Sequence, residues 1–514
     1  MRLHYLYSTT LINLKGFLSR TLNICRILNY FGQIFDNFRN MKRLLFLLLF
    51  VGLAYTGSSQ TRQVVFKKGR IMDSIRINDS IPETYKLYLP KKFDGTGTWP
   101  IIFIFDMEGR NSQALNTFKA AAEEQGFLLA SSNDISDTLS ISKNILITSR
   151  MFQEVGALFP LNRNRIYTAG YSSGAKFAAI IPSFIKEVEG VISCGSFVPS
   201  VELLDEKNPF YFIGIVGNED FNYTQMLQGR ELLNKMKFPN NLLVFDGGEQ
   251  WSDYSLLNKA LKILALSAMA KGNVSKNEEF VMNSYNQNLV ELKLLINSGQ
   301  FLKAYNLQSE IISVYRPHLE VDSLREQLKT LKKESRYRAQ KRNLNNVLLR
   351  ETFIKDDYDY NLFEDLSALN YNNLGWWNYQ MGELKKYDKK LDPFERQMGK
   401  RLLGYLNALI EDNIDIEKEY AAVNDEALSF LWMLKTITEP KAYSYYLKII
   451  SDSSKYEDFG TALFYLEELL KNGYEDKSRL YSLEHTALLR IMPEFNAIVN
   501  KYLKGSRYDA IIEE

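Results

Sequence analysis

Between about residues 83 and 270, short apolar runs rich in β-branched and aromatic residues alternate with amphipathic stretches of helical length. The runs Tyr85–Leu89, Ile101–Phe105, Phe127–Ser131, Arg165–Ala169, Val191–Cys194, Tyr211–Val216 and Leu242–Phe245 predict strands. Several are apolar at nearly every position, as strands covered on both faces are. Between them, Ser112–Gln125, Ser142–Leu158, Ala175–Lys186 and Thr224–Met236 predict helices. Such alternation implies a mostly parallel sheet with helices on both faces.

After about residue 277 the strand signals stop, and residues 280–505 carry apolar positions at helical spacing. The boundary is placed in the polar stretch Lys271-Gly-Asn-Val-Ser-Lys-Asn277. Two segments there, Leu294 to Tyr305 around Gly299, and Asn373 to Leu384 with Gly375 and Gly382, resemble the helix, glycine turn and helix of a tetratricopeptide repeat. A third, Ala462 to Gly473, resembles the closing helices of such an array. Their spacing is irregular, so the array is degenerate, and a generic helical bundle is the competing reading. The seven basic residues from Lys329 to Arg342 read as a solvated face.

Composition narrows the picture. Apolar content of 46 % and aromatic content of 13 % support large cores rather than disorder. A net charge of +2 gives no reason to expect a nucleic-acid partner. Two cysteines, Cys25 and Cys194, make no disulfide framework and no zinc site, and no cofactor or metal is expected. Only three histidines occur, His4, His318 and His485.

Near the start, Met41-Lys-Arg precedes an apolar run of about eleven residues ending at Ala54, then Gly57, Ser58 and Ser59. This pattern predicts a signal peptide over 41–59, cleaved before Gln60, and a chain exported to the periplasm, the cell surface or the medium. The run is too short for a comfortable membrane span, so none is expected after cleavage. Residues 1–40 read as an extension upstream of the true start at Met41. The expected organisation is then an α/β domain over 60–275 and a helical domain over 278–514.

Gly170-Tyr-Ser172-Ser-Gly174 fits G-x-S-x-G and lies between the strand Arg165–Ala169 and a helical stretch opening at Ala175. That setting gives the motif its meaning: the serine stands on a tight turn at the end of a strand, and small neighbours avoid clashes. With Tyr85-Lys-Leu-Tyr-Leu-Pro90, Trp99-Pro-Ile-Ile-Phe-Ile-Phe105, Gly217-Asn-Glu-Asp220 and Phe245-Asp-Gly-Gly248, residues 83–265 resemble the α/β-hydrolase superfamily. The likeness is to exported bacterial esterases of the polyhydroxyalkanoate-depolymerase and feruloyl-esterase kind. It implies an α/β hydrolase fold followed by the all-α, tetratricopeptide-like region. It also implies Ser172 as nucleophile and Asp220 as the acid of a serine–acid–histidine triad. The backbone amides of Ser173 and of Met107 or Glu108 would form the oxyanion hole.

The sequence departs from that pattern where the histidine should follow Gly248. Glu249 stands there, and no histidine occurs within 60–275. A carboxylate near its reference pKa of about 4.3 is a poor base for a hydroxyl, although burial beside Asp220 would raise Glu249. Asp106 and Glu108 would add negative charge near an anion-stabilising site. Losing one member of a triad costs on the order of 10⁴-fold, so activity is expected to be weak or lost. The alternative is a non-catalytic binding module, with a protein partner on the helices and an ester or carbohydrate-linked ligand in the cleft. Asp106, Glu108, Asp220 and Glu249 together suggest a cation or basic group, and Tyr171, Phe221, Tyr223, Trp251 and Tyr254 an aromatic lining.

Overall fold

The computed structural model describes residues 66–78, 80–419 and 424–505. The upstream extension, the signal peptide, His4 and Cys25 fall outside these residues.

Eight strands form one sheet: β1 (Ile71–Asn78), β2 (Ile81–Tyr88), β3 (Trp99–Phe105), β4 (Leu128–Ser132), β5 (Leu161–Tyr171), β6 (Val188–Cys194), β7 (Tyr211–Gly217) and β8 (Asn240–Phe245). Their order is β1-β2-β4-β3-β5-β6-β7-β8. The pairs β1–β2 and β2–β4 are antiparallel, and every other pair is parallel. Helices α1 (Asn111–Gln125) and α5 (Tyr254–Ala270) cover one face, and α2 (Ile141–Leu158), α3 (Ser173–Phe184) and α4 (Tyr223–Lys235) the other. This is the α/β-hydrolase fold that the resemblance implied, and its mostly parallel sheet with helices on both faces is what the alternation of strands and helices called for.

The pleat explains why β3 is apolar throughout. Ile101, Phe103 and Phe105 join the core beneath α2 to α4, while Ile102 and Ile104 join the core beneath α1 and α5. All five are fully buried. Strand β1 escaped the sequence reading. It is an edge strand, interrupted by a register shift between Met72 and Ile75, where Ser74 sits at φ +54°. Its polar positions hide the period of two.

After β8 the chain is helical: α6 (Glu278–Asn297), α7 (Phe301–Tyr315), α8 (Asp322–Lys333), α9 (Ser335–Ala368), α10 (Leu374–Tyr387), α11 (Pro393–Glu419), α12 (Asp425–Thr438), α13 (Tyr443–Lys455) and α14 (Phe459–Lys471), then three shorter helices. Gly299, at φ +73°, does form the turn between α6 and α7. Gly382 does not form a turn. It lies inside α10, which runs unbroken from Leu374 to Tyr387, because Trp377, Met381 and Leu384 bury one continuous face. The basic side chains from Lys329 to Arg342 are exposed, as a solvated face requires. No helix among the described residues is long and apolar enough to cross a membrane.

The first helices of this region share a core with α5: Val281, Leu292, Ala304, Leu307 and Ile311 cluster with Leu257, Leu261 and Leu264. His318 seals this junction. It is buried, and its ring bonds to the carbonyl of Leu266 on α5 at 3.1 Å.

Candidate functional site

Strand β5 ends at Tyr171 and α3 begins at Ser173, leaving Ser172 alone in the turn. Its backbone takes φ +51° and ψ −118°, a region that L-residues avoid and that costs of order 1–3 kcal/mol where it occurs. Two glycines make the turn sterically feasible. A Cβ on Gly170 would lie 2.2 Å from the carbonyl oxygen of Gly174, and one on Gly174 would lie 2.2 Å from that of Phe105. The Ser172 amide donates to the Cys194 carbonyl at 3.0 Å, tying the turn to the end of β6. Cys194 is a buried core thiol, pushed up to about 12 by desolvation.

Two loops deliver the carboxyl groups. The loop after β7 carries Asp220, and the loop after β8 carries Glu249. The Asn218 amide bonds the Phe245 carbonyl at 2.9 Å, and the Glu219 amide bonds the Gly247 carbonyl at 2.8 Å. The side chain of Asn218 donates to Asp246 at 2.6 Å. Gly217 permits this approach, since a Cβ there would meet the Gly247 carbonyl oxygen at 2.2 Å. Asp220 is 2 % exposed, accepts from the Asn222 amide at 2.8 Å, and lies beside Gly195.

Glu249 lies beside the Ser172 side chain. Desolvation, and then the negative charge of Glu108, raise its pKa, while the Ser172 hydroxyl and the charge of Lys176 oppose the rise. Glu249 is exposed at the rim, so water screens part of this effect. Asp220 is raised to about 6, first by burial and then by the charge of Glu249, with the Asn222 amide and Lys355 acting against them. The structure thus brings Ser172, Glu249 and Asp220 together.

Other expected residues behave differently. Asp106 is buried and spends its carboxylate on the amides of Glu108 and Arg110, at 3.0 and 3.1 Å, and on the Arg110 side chain at 3.3 Å. Arg110 also pairs with Glu108 at 2.9 Å. Neither acid is therefore a bare charge facing the serine, and the Glu108 amide is already engaged. The Met107 and Ser173 amides, by contrast, have no partner among the described residues. The four carboxylates form no metal-binding cluster among the described residues.

The aromatic lining is also largely spent in packing. Trp251 lies against Tyr171 at 5.2 Å and Phe118 at 5.9 Å, Tyr254 bonds Glu124, and Tyr223 is buried beneath the Arg401 guanidinium at 5.1 Å. The helical region holds two histidines. His318 is committed to Leu266, and His485 is exposed at φ +60°.

The sequence reading missed the residues that hold the Asp220 loop from outside. Arg401 on α11 donates to the Asn218 carbonyl at 2.6 Å and to Glu351 on α9 at 2.9 and 2.6 Å. Lys355 donates to the Phe221 carbonyl at 3.2 Å, Thr224 donates to Glu351 at 3.1 Å, and Lys400 pairs with Glu219 at 2.9 Å. Nothing in the periodicity marks Glu351 and Arg401, which are 50 positions apart and would pass for surface charges.

No protein-family profile matches the chain. No curated protein matches it. Solved structures do. A fluorophosphonate-binding serine hydrolase of Staphylococcus aureus is 12 % identical with a TM-score of 0.32, over 38 % of this chain and 99 % of that one. The esterase Est1E of Butyrivibrio proteoclasticus is 13 % identical with a TM-score of 0.31, over 39 % and 99 %. An esterase of Pyrobaculum calidifontis is 11 % identical with a TM-score of 0.33, over 39 % and 86 %.

Proposed function

We propose that residues 60–275 form an esterase-like serine-hydrolase domain, exported by the segment 41–59, that turns over carboxylic esters weakly. The observation that carries the reading is Ser172 in its strained turn with its side chain beside Glu249. In this reading Ser172 Oγ attacks the ester carbonyl while its proton passes to the Glu249 carboxylate. The Ser173 and Met107 amides hold the developing oxyanion. Collapse of the intermediate expels the alcohol, which takes the proton from Glu249. Water then cleaves the acyl–serine bond, with Glu249 again accepting the proton and returning it to Ser172.

The raised pKa makes Glu249 a better base than a solvated glutamate, yet it remains a poorer match to a serine hydroxyl than imidazole. Activity should rise with pH as Glu249 ionises. The competing reading is a non-catalytic module whose helices carry a partner. It is favoured by the glutamate that stands where the resemblance calls for histidine. The tetratricopeptide likeness of the helices is supported by the α6–α7 turn at Gly299.

The test is fluorophosphonate labelling of the chain from Gln60 onward, beside Ser172→Ala and Glu249→His. Wild-type labelling that vanishes in Ser172→Ala supports the reading. A wild type that stays unlabelled at every pH, with labelling gained in Glu249→His, refutes it and supports the binding module.

A further inference from the structure

The charged cluster between α9, α11 and residues 218–224, the loop after β7 and the start of α4, is buried, although charges are expensive to bury. Arg401 and Glu351 are both wholly buried, and Lys355 nearly so. Their hydrogen bonds do not merely pair one another. Arg401 and Lys355 each spend a donor on a backbone carbonyl of the loop, those of Asn218 and Phe221, which bracket Asp220 two residues before and one after. Glu351 takes the hydroxyl of Thr224 just beyond. Phe221 packs on Gly404 of α11, where a Cβ would stand 3.4 Å from it. Further out, Lys400 grips Glu219, and Lys303 of α7 grips Asp246 in the neighbouring loop at 2.8 Å. Two short loops already tied to each other at the end of the sheet are thus also fastened from a different part of the chain.

We infer that the helical region completes the hydrolase site: Arg401, held by Glu351, and Lys355 are positioning residues that fix the backbone around Asp220, and so its carboxyl group, beside Glu249. The inference rests on the acyl-transfer reading for its catalytic consequence, while the clamp itself stands on geometry. Asp220 faces Glu249 and Tyr171 within the sheet domain and Lys355 from α9. Of these only Lys355 is cationic, and it favours the ionised form of Asp220.

Lys355→Met is the informative variant, because Arg401 still satisfies Glu351. It removes one clamp bond and a cation that acts on Asp220, and Lys355→Arg restores both. Two readouts are taken on the chain from Gln60: the carbon-13 titration of the Asp220 carboxyl, and the pH profile of fluorophosphonate labelling at Ser172. In Lys355→Met the Asp220 midpoint is expected to move above its wild-type value of about 6. Labelling should slow by up to about 100-fold, the cost of an ångström-scale misplacement. Lys355→Arg should return both towards wild type. A variant that merely loosened the fold would shift the melting temperature and leave the Asp220 midpoint in place. An unchanged titration in Lys355→Met overturns the inference. Absence of wild-type labelling at any pH would instead count against ester turnover, and the titration would still decide the clamp.

Discussion

Consider Arg401→Met. The arginine side chain is wholly buried, as is its partner Glu351. Methionine keeps much of the volume but removes two bonds to Glu351, at 2.9 and 2.6 Å, and one to the Asn218 carbonyl at 2.6 Å. Removing one partner of a buried pair costs about 3–5 kcal/mol, because the other charge is left without compensation. Here Glu351 keeps Lys355 at 3.0 Å and the Thr224 hydroxyl at 3.1 Å, which places the cost at the lower end, about 3 kcal/mol. The double variant Arg401→Met, Glu351→Leu removes the stranded charge as well. It should be less destabilised than the single variant, with a coupling energy of about 1–3 kcal/mol. Urea unfolding followed by tryptophan fluorescence reads both halves, since Trp99 and Trp251 belong to the sheet domain and Trp376, Trp377 and Trp432 to the helices. A single variant within about 0.5 kcal/mol of wild type, or a double variant worse than the single, would refute the reasoning.

Four further outcomes are expected. Gly174→Ala should leave little soluble protein, because its Cβ would sit 2.2 Å from one backbone atom of Phe105 and 2.9 Å from another; normal expression and melting would contradict this. Gly382→Ala, with nothing within 4 Å of the added carbon and an exposed position inside α10, should stabilise by about 0.5–1 kcal/mol in the same urea titration. Leu369 ends α9 in a left-handed conformation at φ +49°, so Leu369→Gly should raise stability by up to about 1 kcal/mol, and a loss would show that its side-chain contacts outweigh the strain. Asp220 is raised from 3.8 to about 6 by burial, so the folded chain holds a proton there that the unfolded chain has released. Stability therefore falls as pH rises through that window, by at most about 3 kcal/mol, and stays lowered above it. Asp220→Asn should then be more stable than wild type at pH 8 and not at pH 3; equal stability at both would mean the burial cost has been offset elsewhere.

The sequence by itself determined the parallel part of the sheet and the turn at Ser172. Both are local: β3 had to be apolar on every residue because both faces are covered, and a serine between Gly170 and Gly174 at a strand-to-helix junction leaves few conformations open. The position of Glu249 in the loop after β8 was legible for the same reason, since it follows the strand Leu242–Phe245 in chain order. Strand β1 was not legible, because an edge strand broken at Ser74 carries no clean alternation. Nor was the true state of Asp106, whose carboxylate reads as a hostile charge in one dimension and proves to be the anchor of its own loop. Gly382 looked like a turn, but the burial of Trp377, Met381 and Leu384 on one face kept the helix intact. What only the tertiary structure decided is the company of Asp220. Glu351, Lys355 and Arg401 carry no local signal, because a charged residue on a helix reads as solvated until another part of the chain folds over it. Burial then reverses the meaning of the charge, from a surface ornament to a group that must find partners, and the partners it found are the carbonyls on either side of Asp220.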